Sequence, residues 1–492
     1  MRWKTGLLGC VAVVLCPLAL AQALPAEVGA ALARARIPAE AVSMLVVDVQ
    51  GKAAARLSHR AEVALNPASV MKLVTTYAAL DLLGPAHTWR TPVYVQGPVR
   101  EGTLHGNLYI RGGGDPKLVV ERLWLLLRRV QALGIRRISG DIVLDGTAFE
   151  APGEDPASFD GEPLRPYNVG ADALLINFKS VVMTFVPVRS AGNALVQYEP
   201  ALQGVQTQVR VPLSGTDAGG CGDYRAALKA DFSDPLRIRF AGTFPAACPE
   251  KTWSVAYADP ASYNLRAVGA MWHEIGGELG GTVREGRLPV PGAAAASTEW
   301  MFELSSAPLS ELIRDINKYS NNVMAQQLFL SLSLGTGEDA GAVSASAPQL
   351  QPARAASAEA SREVLRRWWR ERFGDDDVPL IDNGSGLSRN SRISARALAR
   401  LLQHAYGSAW MPELMASLPV NGVDGTLKRR RANVRGSAHL KTGSLRDVAA
   451  VAGYVRAASG KRYSLVAIVN HANAGAARAA FDALVDWTIN DD

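Results

Sequence analysis

A long β-rich stretch interrupts this chain between two regions that read as parts of one α/β domain. Before it, residues 43–49 predict a buried strand and a helix begins near Ser69. After it come helical segments, two apolar strands at 448–456 and 463–469, and a closing helix at 481–489. Because the early helix and the late strands are far apart in sequence, we predict an outer α/β domain that carries a large β-rich insertion.

The 492 residues are too many for one ordinary domain. We predict a first part of the outer domain at 24–88 and its second part at 298–492. The insertion is expected to comprise one domain at 89–187 and 262–297, interrupted by a β-rich domain at 188–261. Residues 339–360 are rich in Ala, Ser, Gln and Pro and predict a disordered loop.

Residues 1–23 predict a secretory signal peptide. Arg2 and Lys4 precede an apolar run at 6–20 that is too short to span a bilayer well, and small residues follow it. An uncleaved N-terminal anchor is the alternative, and no later segment predicts a membrane span. Removal of the signal lowers the formal net charge from +6 by two, to +4. This weak basic bias tolerates an anionic partner such as cell wall and, without Lys/Arg blocks, argues against a nucleic-acid partner. The signal peptide predicts a periplasmic protein.

Two cysteines, Cys221 and Cys248, remain once Cys10 and Cys16 leave with the signal. In an exported protein such a pair predicts a disulfide, and two separate buried thiols are the alternative. Neither cysteine has the spacing of a metal ligand, and the seven histidines form no cluster. We therefore expect no metal and no other cofactor.

Ser69 and Lys72 form a Ser-x-x-Lys motif at the start of a predicted helix, and the chain contains no second copy. Helical positions three apart share a face, so Lys72 is expected beside Ser69. A serine hydroxyl becomes a nucleophile when a nearby base takes its proton, and a lysine can be that base only if its pKa falls. A solvated lysine at an ordinary helix start is the competing interpretation.

Two further motifs follow along the chain. Ser320 and Asn322 form Ser-x-Asn between two predicted helices, although copies at Ser262 and Ser388 show how common the pattern is. The copy at Ser262 predicts helix capping, and capping is an alternative for Ser320 too. The third motif lies on a predicted late strand and comprises Lys441, Thr442 and Gly443, followed by Ser444; residues 4–6 repeat its first three letters. An ordinary solvated edge lysine is the alternative for Lys441.

The order and structural context of the three motifs resemble the serine penicillin-recognising enzymes, which include penicillin-binding proteins and serine β-lactamases. The interval between the first two motifs is about twice that between the last two. This large insertion is similar to that of the low-molecular-mass class C penicillin-binding proteins, the D-alanyl-D-alanine carboxypeptidase/endopeptidase family. Further matching stretches lie at 112–116, 167–168 and 382–389. The loop at 339–360 and an extra Asn383 depart from the family pattern.

The resemblance implies an α/β fold of the serine β-lactamase/transpeptidase type, with a central antiparallel sheet and flanking helices. It implies that Ser69 attacks the penultimate D-alanine of a peptidoglycan stem peptide while Lys72 acts as base. Ser320 would relay a proton, and Asn322 would hold the acyl side chain. Lys441 and Thr442 would bind the terminal carboxylate, and the N–H groups of Ser69 and Ser444 would form the oxyanion hole. β-Lactam antibiotics would be covalent inhibitors.

Two acidic residues, Asp160 and Glu162, precede the 167–168 stretch, where the family tends to carry an acid that reads the free amine of diaminopimelate. A solvated loop acid is the alternative for both. Two other functions compete with the peptidase: a serine β-lactamase, and a non-catalytic cell-wall-binding protein on the same fold. Class A β-lactamases use a Glu-x-x-x-Asn pattern, and the chain has none between Ser320 and Lys441.

Overall fold

The computed structural model describes residues 23–150, 155–215, 220–289, 298–334, 355–430 and 435–491. Apart from Ala23, the predicted signal peptide lies outside these residues, as does the 339–354 part of the predicted loop. Within the described ranges, no helix is both long and apolar enough to cross a membrane.

The outer domain is built on one antiparallel sheet that joins the two ends of the chain. Its strands, in spatial order, are β2 (Leu57–His59), β1 (Val42–Asp48), β22 (Arg462–Asn470), β21 (Val448–Arg456) and β20 (Ala438–Leu445). Strand β1 pairs with β22 along its whole length, and every pairing in the sheet is antiparallel. The predicted fold class is therefore confirmed, and β20 is an edge strand.

Both faces of this sheet are buried, which explains why β22 reads as an unbroken apolar run. Val466 and Ile468 face one core, while Leu465 and Ala467 face the other. The first core contains the helices α2 (Lys72–Leu83), α6 (Leu309–Lys318), α7 (Asn322–Leu334), α8 (Ala358–Phe373), α9 (Ala395–Gly407) and α10 (Met411–Ser417). The second contains α1 (Ala26–Arg34) and α11 (Arg478–Ile489).

Helix α2 is the centre of the first core. Its residues from Lys72 to Leu80 are all buried. A helix buried on all sides is enclosed by other elements rather than lying on a surface. The fold therefore places the Lys72 side chain inside the protein.

The first part of the insertion contains two sheets and two helices. Their elements are β3 (Arg90–Gln96), β4 (Val99–Arg100), β5 (Thr103–Leu104), β6 (Asn107–Arg111), α3 (Val120–Ala132), β7 (Arg137–Ile138), β8 (Ile142–Asp145), α5 (Pro260–Glu274), β17 (Glu278–Leu279), β18 (Val283–Glu285) and β19 (Thr298–Ser305). The sheets run β18-β8-β6-β3-β19 and β17-β7-β5-β4. Because β19 pairs with β3, the inserted sheet continues past the boundary predicted at 297.

The second part of the insertion is the predicted β-rich region, with one short helix. Its elements are β9 (Ser180–Val188), β10 (Asn193–Glu199), β11 (Gln206–Thr207), β12 (Arg210–Ser214), α4 (Tyr224–Leu228), β13 (Ala230–Asp231), β14 (Arg237–Phe240), β15 (Phe244–Pro245) and β16 (Lys251–Ala256). They form the sheets β15-β12-β10-β9-β16 and β11-β14-β13. Strand β9 belongs to this region, so the boundary predicted at 188 lies too late in the chain.

Two local predictions were wrong. Residues 355–360 are not loop throughout: Glu150 N donates to Ala356 O, and Ser357 Oγ caps α8 by accepting from Ala360 N at 3.2 Å. Ser262 does not cap a helix starting at 265, because α5 already begins at Pro260 and Ser262 lies within its first turn. Proline is well tolerated at a first helical position, and this allows the earlier start.

The predicted Cys221–Cys248 disulfide is present in the β-rich region, where Cys248 is fully buried. Replacing both cysteines with alanine is expected to lower the free energy of unfolding of this region by about 3 kcal/mol, because the bond closes a loop that restricts the unfolded chain. Urea denaturation with and without a reductant measures the loss. The reductant should not change the stability of the double variant. Equal stability of the wild type and the double variant in the absence of reductant would contradict the prediction.

Candidate active site

Ser69 lies in a 3-10 turn, Ala68–Met71, directly before α2. Ala68 is fully buried and has a φ of 47°, a left-handed conformation that non-glycine residues rarely adopt. Asn66 stabilises this turn: its Oδ1 accepts from Ala68 N at 2.9 Å, and its Nδ2 donates to Ser388 O at 2.8 Å. The strained turn leaves Ser69 only partly buried, at the mouth of the core.

The amino group of Lys72 is fully buried and has three close oxygen neighbours. Its Nζ lies 2.9 Å from Ser69 Oγ, 2.7 Å from Asn322 Oδ1 and 2.6 Å from Ser385 O. The Asn322 amide is oriented by its Nδ2, which donates to Tyr167 O at 3.4 Å. Burial, and then the positive charge of Lys441, lower the pKa of Lys72 well below its usual value.

These three neighbours orient a neutral Lys72. The carbonyl oxygens of Asn322 and Ser385 can only accept hydrogen bonds, whereas the Ser69 hydroxyl can also donate. A neutral amine has two N–H groups and one lone pair. When the N–H groups bond the two carbonyls, the lone pair points to the Ser69 hydroxyl, which is the geometry that a general base requires.

The second lysine, Lys441, is also fully buried. Its Nζ donates to Ser320 Oγ at 2.9 Å and to Thr442 O at 2.7 Å, and burial lowers its pKa to about 7. Ser320 has a φ of 59°, in the left-handed region. It does not cap α7, because Asn321 Oδ1 accepts the bond from Met324 N at 3.0 Å. The structure thus brings the second and third motifs together at one point.

Strand β20 approaches the Ser69 turn so closely that only glycine fits at 443. A Cβ on Gly443 would lie 2.4 Å from Pro67 O and 3.0 Å from Ser69 N. On the outer edge of β20, Leu440 N donates to Pro419 O, and alternate residues of a strand direct their N–H groups to the same side. The N–H groups of Thr442 and Ser444 therefore point to this outer edge as well, and Ser444 is exposed.

The loop at 382–389 contributes a group that the sequence analysis did not identify, the Ser385 carbonyl oxygen that accepts from Lys72 Nζ. Asn383 shapes this loop: its Oδ1 accepts from Ser385 N at 3.1 Å, and its Nδ2 donates to Leu387 O at 2.9 Å. Gly386 has a φ of 75°, and a Cβ there would lie 1.9 Å from Ala68 O. Asn383, which departs from the family pattern, thus supports the loop whose Ser385 carbonyl bonds Lys72. A backbone carbonyl has no residue signature, so no sequence signal identified it.

Asp160 and Glu162 lie on an exposed loop that reaches the site through Tyr167. Asp160 accepts from Tyr167 OH at 2.8 Å and from Asn168 Nδ2 at 2.7 Å, while Glu162 pairs with Arg165 at 3.3 Å. Burial raises the pKa of Asp160, but these two bonds and that from Glu162 N outweigh it and hold the pKa below its usual value. Asp160 is therefore tied, through Tyr167, to the backbone that holds Asn322.

No metal cluster accompanies these groups. Across the parts of the chain that the structure describes, no set of three or more His, Cys, Asp or Glu residues is arranged to hold a metal ion. The chemistry of the site is that of two buried lysines, two serines and the open edge of a strand.

Comparison with known proteins gives consistent matches. The model of the D-Ala-D-Ala carboxypeptidase 3 (S13) family matches residues 24–491. A D-alanyl-D-alanine carboxypeptidase of Actinomadura sp. (strain R39) is 30% identical over 438 residues, which cover 84% of this chain and 74% of that protein. Two solved structures share the fold. Penicillin binding protein 4 (dacB) of Haemophilus influenzae has a TM-score of 0.70 and 21% identity over 94% of this chain and 99% of that one. A predatory endopeptidase from Bdellovibrio bacteriovorus has a TM-score of 0.50 and 15% identity over 91% and 93%.

Proposed function

The chain belongs to the D-Ala-D-Ala carboxypeptidase 3 (S13) family, and we propose that it is a serine peptidase that works through an acyl-enzyme on Ser69. It removes the terminal D-alanine from peptidoglycan stem peptides and hydrolyses D-alanyl cross-links. The distance of 2.9 Å between Lys72 Nζ and Ser69 Oγ is the observation that carries this proposal, because a neutral amine at that distance can take the hydroxyl proton.

Acylation begins when Ser69 Oγ attacks the carbonyl carbon of the penultimate D-alanine and Lys72 takes its proton. The oxygen of the tetrahedral intermediate lies between the N–H groups of Ser69 and Ser444, which stabilise the developing charge. The C–N bond then breaks, and Ser320, bonded to Lys441, passes its proton to the leaving amine and receives in turn the proton that Lys72 took from Ser69, so that Lys72 is neutral again. Water then attacks the ester as Lys72 takes one of its protons, and Lys72 returns that proton to Ser69 Oγ when the ester C–O bond breaks.

The substrate is held on the open edge of β20. Lys441 attracts the terminal carboxylate, and the Thr442 hydroxyl donates to it. Asn322 holds the acyl side chain and Lys72 together. A Lys441 pKa of about 7, and a Lys72 pKa that burial and the charge of Lys441 lower well below its usual value, are consistent with a charged Lys441 beside a neutral Lys72. The two lysines titrate as a coupled pair.

Reaction with labelled penicillin tests the peptidase against its two competitors. We expect a stable covalent adduct, because the hydrogen-bond partners of Ser69 and Lys72 in the described ranges include no carboxylate that would activate a deacylating water. Mass spectrometry of the intact protein over several hours measures the adduct. Rapid turnover of penicillin would identify a β-lactamase, and no labelling would identify a non-catalytic wall-binding protein.

Recognition of the peptide's third residue is the finer part of the proposal. We infer that Asp160 binds the free amine of a diaminopimelate side chain, since its lowered pKa keeps it charged and Tyr167 links it to Asn322. Glu162 is less suited, because Arg165 already neutralises it.

Asp160→Asn is therefore expected to lower kcat/KM on a diaminopimelate-ended peptide by about 5-fold, the upper end of what the loss of an exposed ion pair costs. Activity on a D-alanyl-D-alanine peptide with a neutral end should barely change. Glu162→Gln is the matched control and should have the smaller effect. Equal losses on both peptides, or a larger effect at Glu162, would refute this assignment.

The compartment follows from the same reasoning. Peptidoglycan lies outside the cytoplasmic membrane, and a disulfide such as Cys221–Cys248 persists in oxidising compartments. We therefore propose that the enzyme works in the periplasm.

A further inference from the structure

In the part of the chain that the structure describes, a segment pairs with the first half of the outer edge of β20, and no backbone group pairs with its second half. Segment 419–421 pairs with the first half: Leu440 N donates to Pro419 O at 2.9 Å, and Asn421 N donates to Ala438 O at 3.0 Å. The chain then turns away, so that the edge opens at Lys441. This is where the proposed substrate carboxylate enters.

A second threonine stands at the point where the edge opens. Thr426 Oγ1 lies 2.8 Å from Thr442 Oγ1, and the Thr426 side chain is exposed. The pair adjoins Lys441, whose Nζ bonds the Thr442 carbonyl. Two hydroxyl donors and one cation therefore meet at the open end of β20.

Thr426 is held in place by a largely buried ion pair. Asp424 Oδ2 lies 2.6 Å from Lys318 Nζ, and Asp424 Oδ1 accepts from Val420 N at 2.9 Å. Lys318 is only 4% exposed and lies two residues before Ser320. Gly425 has a φ of 54°, and a Cβ there would lie 2.5 Å from Lys318 O. The loop that carries Thr426 is thus packed against the end of α6.

We propose that Thr426 is a carboxylate-binding residue that makes the enzyme require a free carboxylate beside the leaving amine, which in a D-alanyl-D-alanine peptide is the C-terminal carboxylate. The two hydroxyl oxygens lie 2.8 Å apart, close enough for each hydroxyl to donate to one oxygen of the same carboxylate. The bond between Thr442 and Thr426 gives way when substrate enters, because a hydroxyl rotates freely to a better acceptor. Hydrogen bonds to a charged acceptor are stronger than those between neutral hydroxyls. This inference rests on the proposed peptidase function.

The test compares two peptides that differ only at the C-terminus: an acylated D-alanyl-D-alanine with a free acid, and the same peptide as its amide. Thr426→Val keeps the shape and removes the hydroxyl. We expect kcat/KM on the free acid to fall roughly 10-fold, the effect of one lost hydrogen bond to a charged group, and kcat/KM on the amide to stay within about twofold. Thr426→Ser, which keeps the hydroxyl, should restore most of the preference for the acid.

Controls separate this role from folding and from the proposed function. Thr207→Val replaces an exposed threonine of β11, and it should leave kcat/KM unchanged on both peptides. Thr426→Ala repeats the test if the valine variant melts at a lower temperature than wild type. Equal losses on both peptides, or no loss on either, would overturn the role of Thr426 while wild type still hydrolyses the free acid. If wild type hydrolyses neither peptide and takes no penicillin label, the proposed function fails and this inference fails with it.

Discussion

Replacing Ser69 with alanine is expected to abolish the covalent penicillin adduct and to lower peptide hydrolysis by on the order of 10⁴-fold or more. The reason is that no other hydroxyl shares its position beside Lys72 Nζ, at 2.9 Å, in the described part of the chain. The adduct is measured by intact-protein mass spectrometry, and hydrolysis is followed by release of D-alanine.

Ser262→Ala is the matched control, because Ser262 belongs to a second Ser-x-Asn copy but lies in α5 of the insertion. This variant should take the penicillin label at the rate of the wild type. An adduct that survives Ser69→Ala would show that another residue is the nucleophile, and peptide mapping of the labelled protein would then identify it.

Replacing Lys72 with methionine is expected to slow acylation by about 10²–10⁴-fold, the usual contribution of a general base. Methionine has a similar length and no charge, so it suits the fully buried position. The fold should survive, since the variant removes a polar amine from a fully buried position, although the acceptors on Asn322 and Ser385 lose their partner. Stopped-flow acylation and thermal melting measure the two effects separately.

The pH dependence of acylation distinguishes a lost base from a damaged fold. Lys72 acts as a base only when neutral, so the wild-type rate rises with pH as Lys72 loses its proton, and its lowered pKa brings this rise below the range of an ordinary lysine. The rate falls again as Lys441, with a pKa of about 7, loses the charge that attracts the carboxylate. The profile is therefore bell-shaped.

In Lys72→Met the rising limb should vanish while the falling limb remains. Lys52→Met, at an exposed lysine, serves as the control and should keep both limbs. A rising limb that persists in Lys72→Met would assign the base to another group.

The paired lysines also show a conflict between stability and function. Two lysine side chains buried close together favour unfolding, because each is fully hydrated and charged in the unfolded chain. The same burial lowers both pKa values, and this makes proton transfer possible near neutral pH. We infer that the site retains this arrangement for its chemistry rather than for stability.

The regular elements of the outer domain follow from local pattern. The bounds predicted for β21 agree with the structure, because an apolar run of strand length leaves a clear local signal. The insertion was harder to divide. Strands β9 and β19 were assigned to the wrong units because sheet membership depends on pairing with distant strands, and local sequence does not encode that pairing.

By itself, the sequence determined the chemical groups and their order: Ser69 with Lys72, then Ser320 with Asn322, then Lys441 with Thr442. Side-chain identities are read directly from the sequence, and the order of the three motifs supports the assignment of each one.

Only the tertiary structure decided which groups surround those side chains. The Ser385 carbonyl on Lys72 and the Thr426 hydroxyl beside Thr442 lie far along the chain from the residues they meet. A backbone carbonyl is chemically the same at every residue, and burial arises from packing between distant segments. The direction of the Lys72 lone pair, the lowered pKa values of both lysines and the open edge of β20 are therefore properties of the folded chain alone.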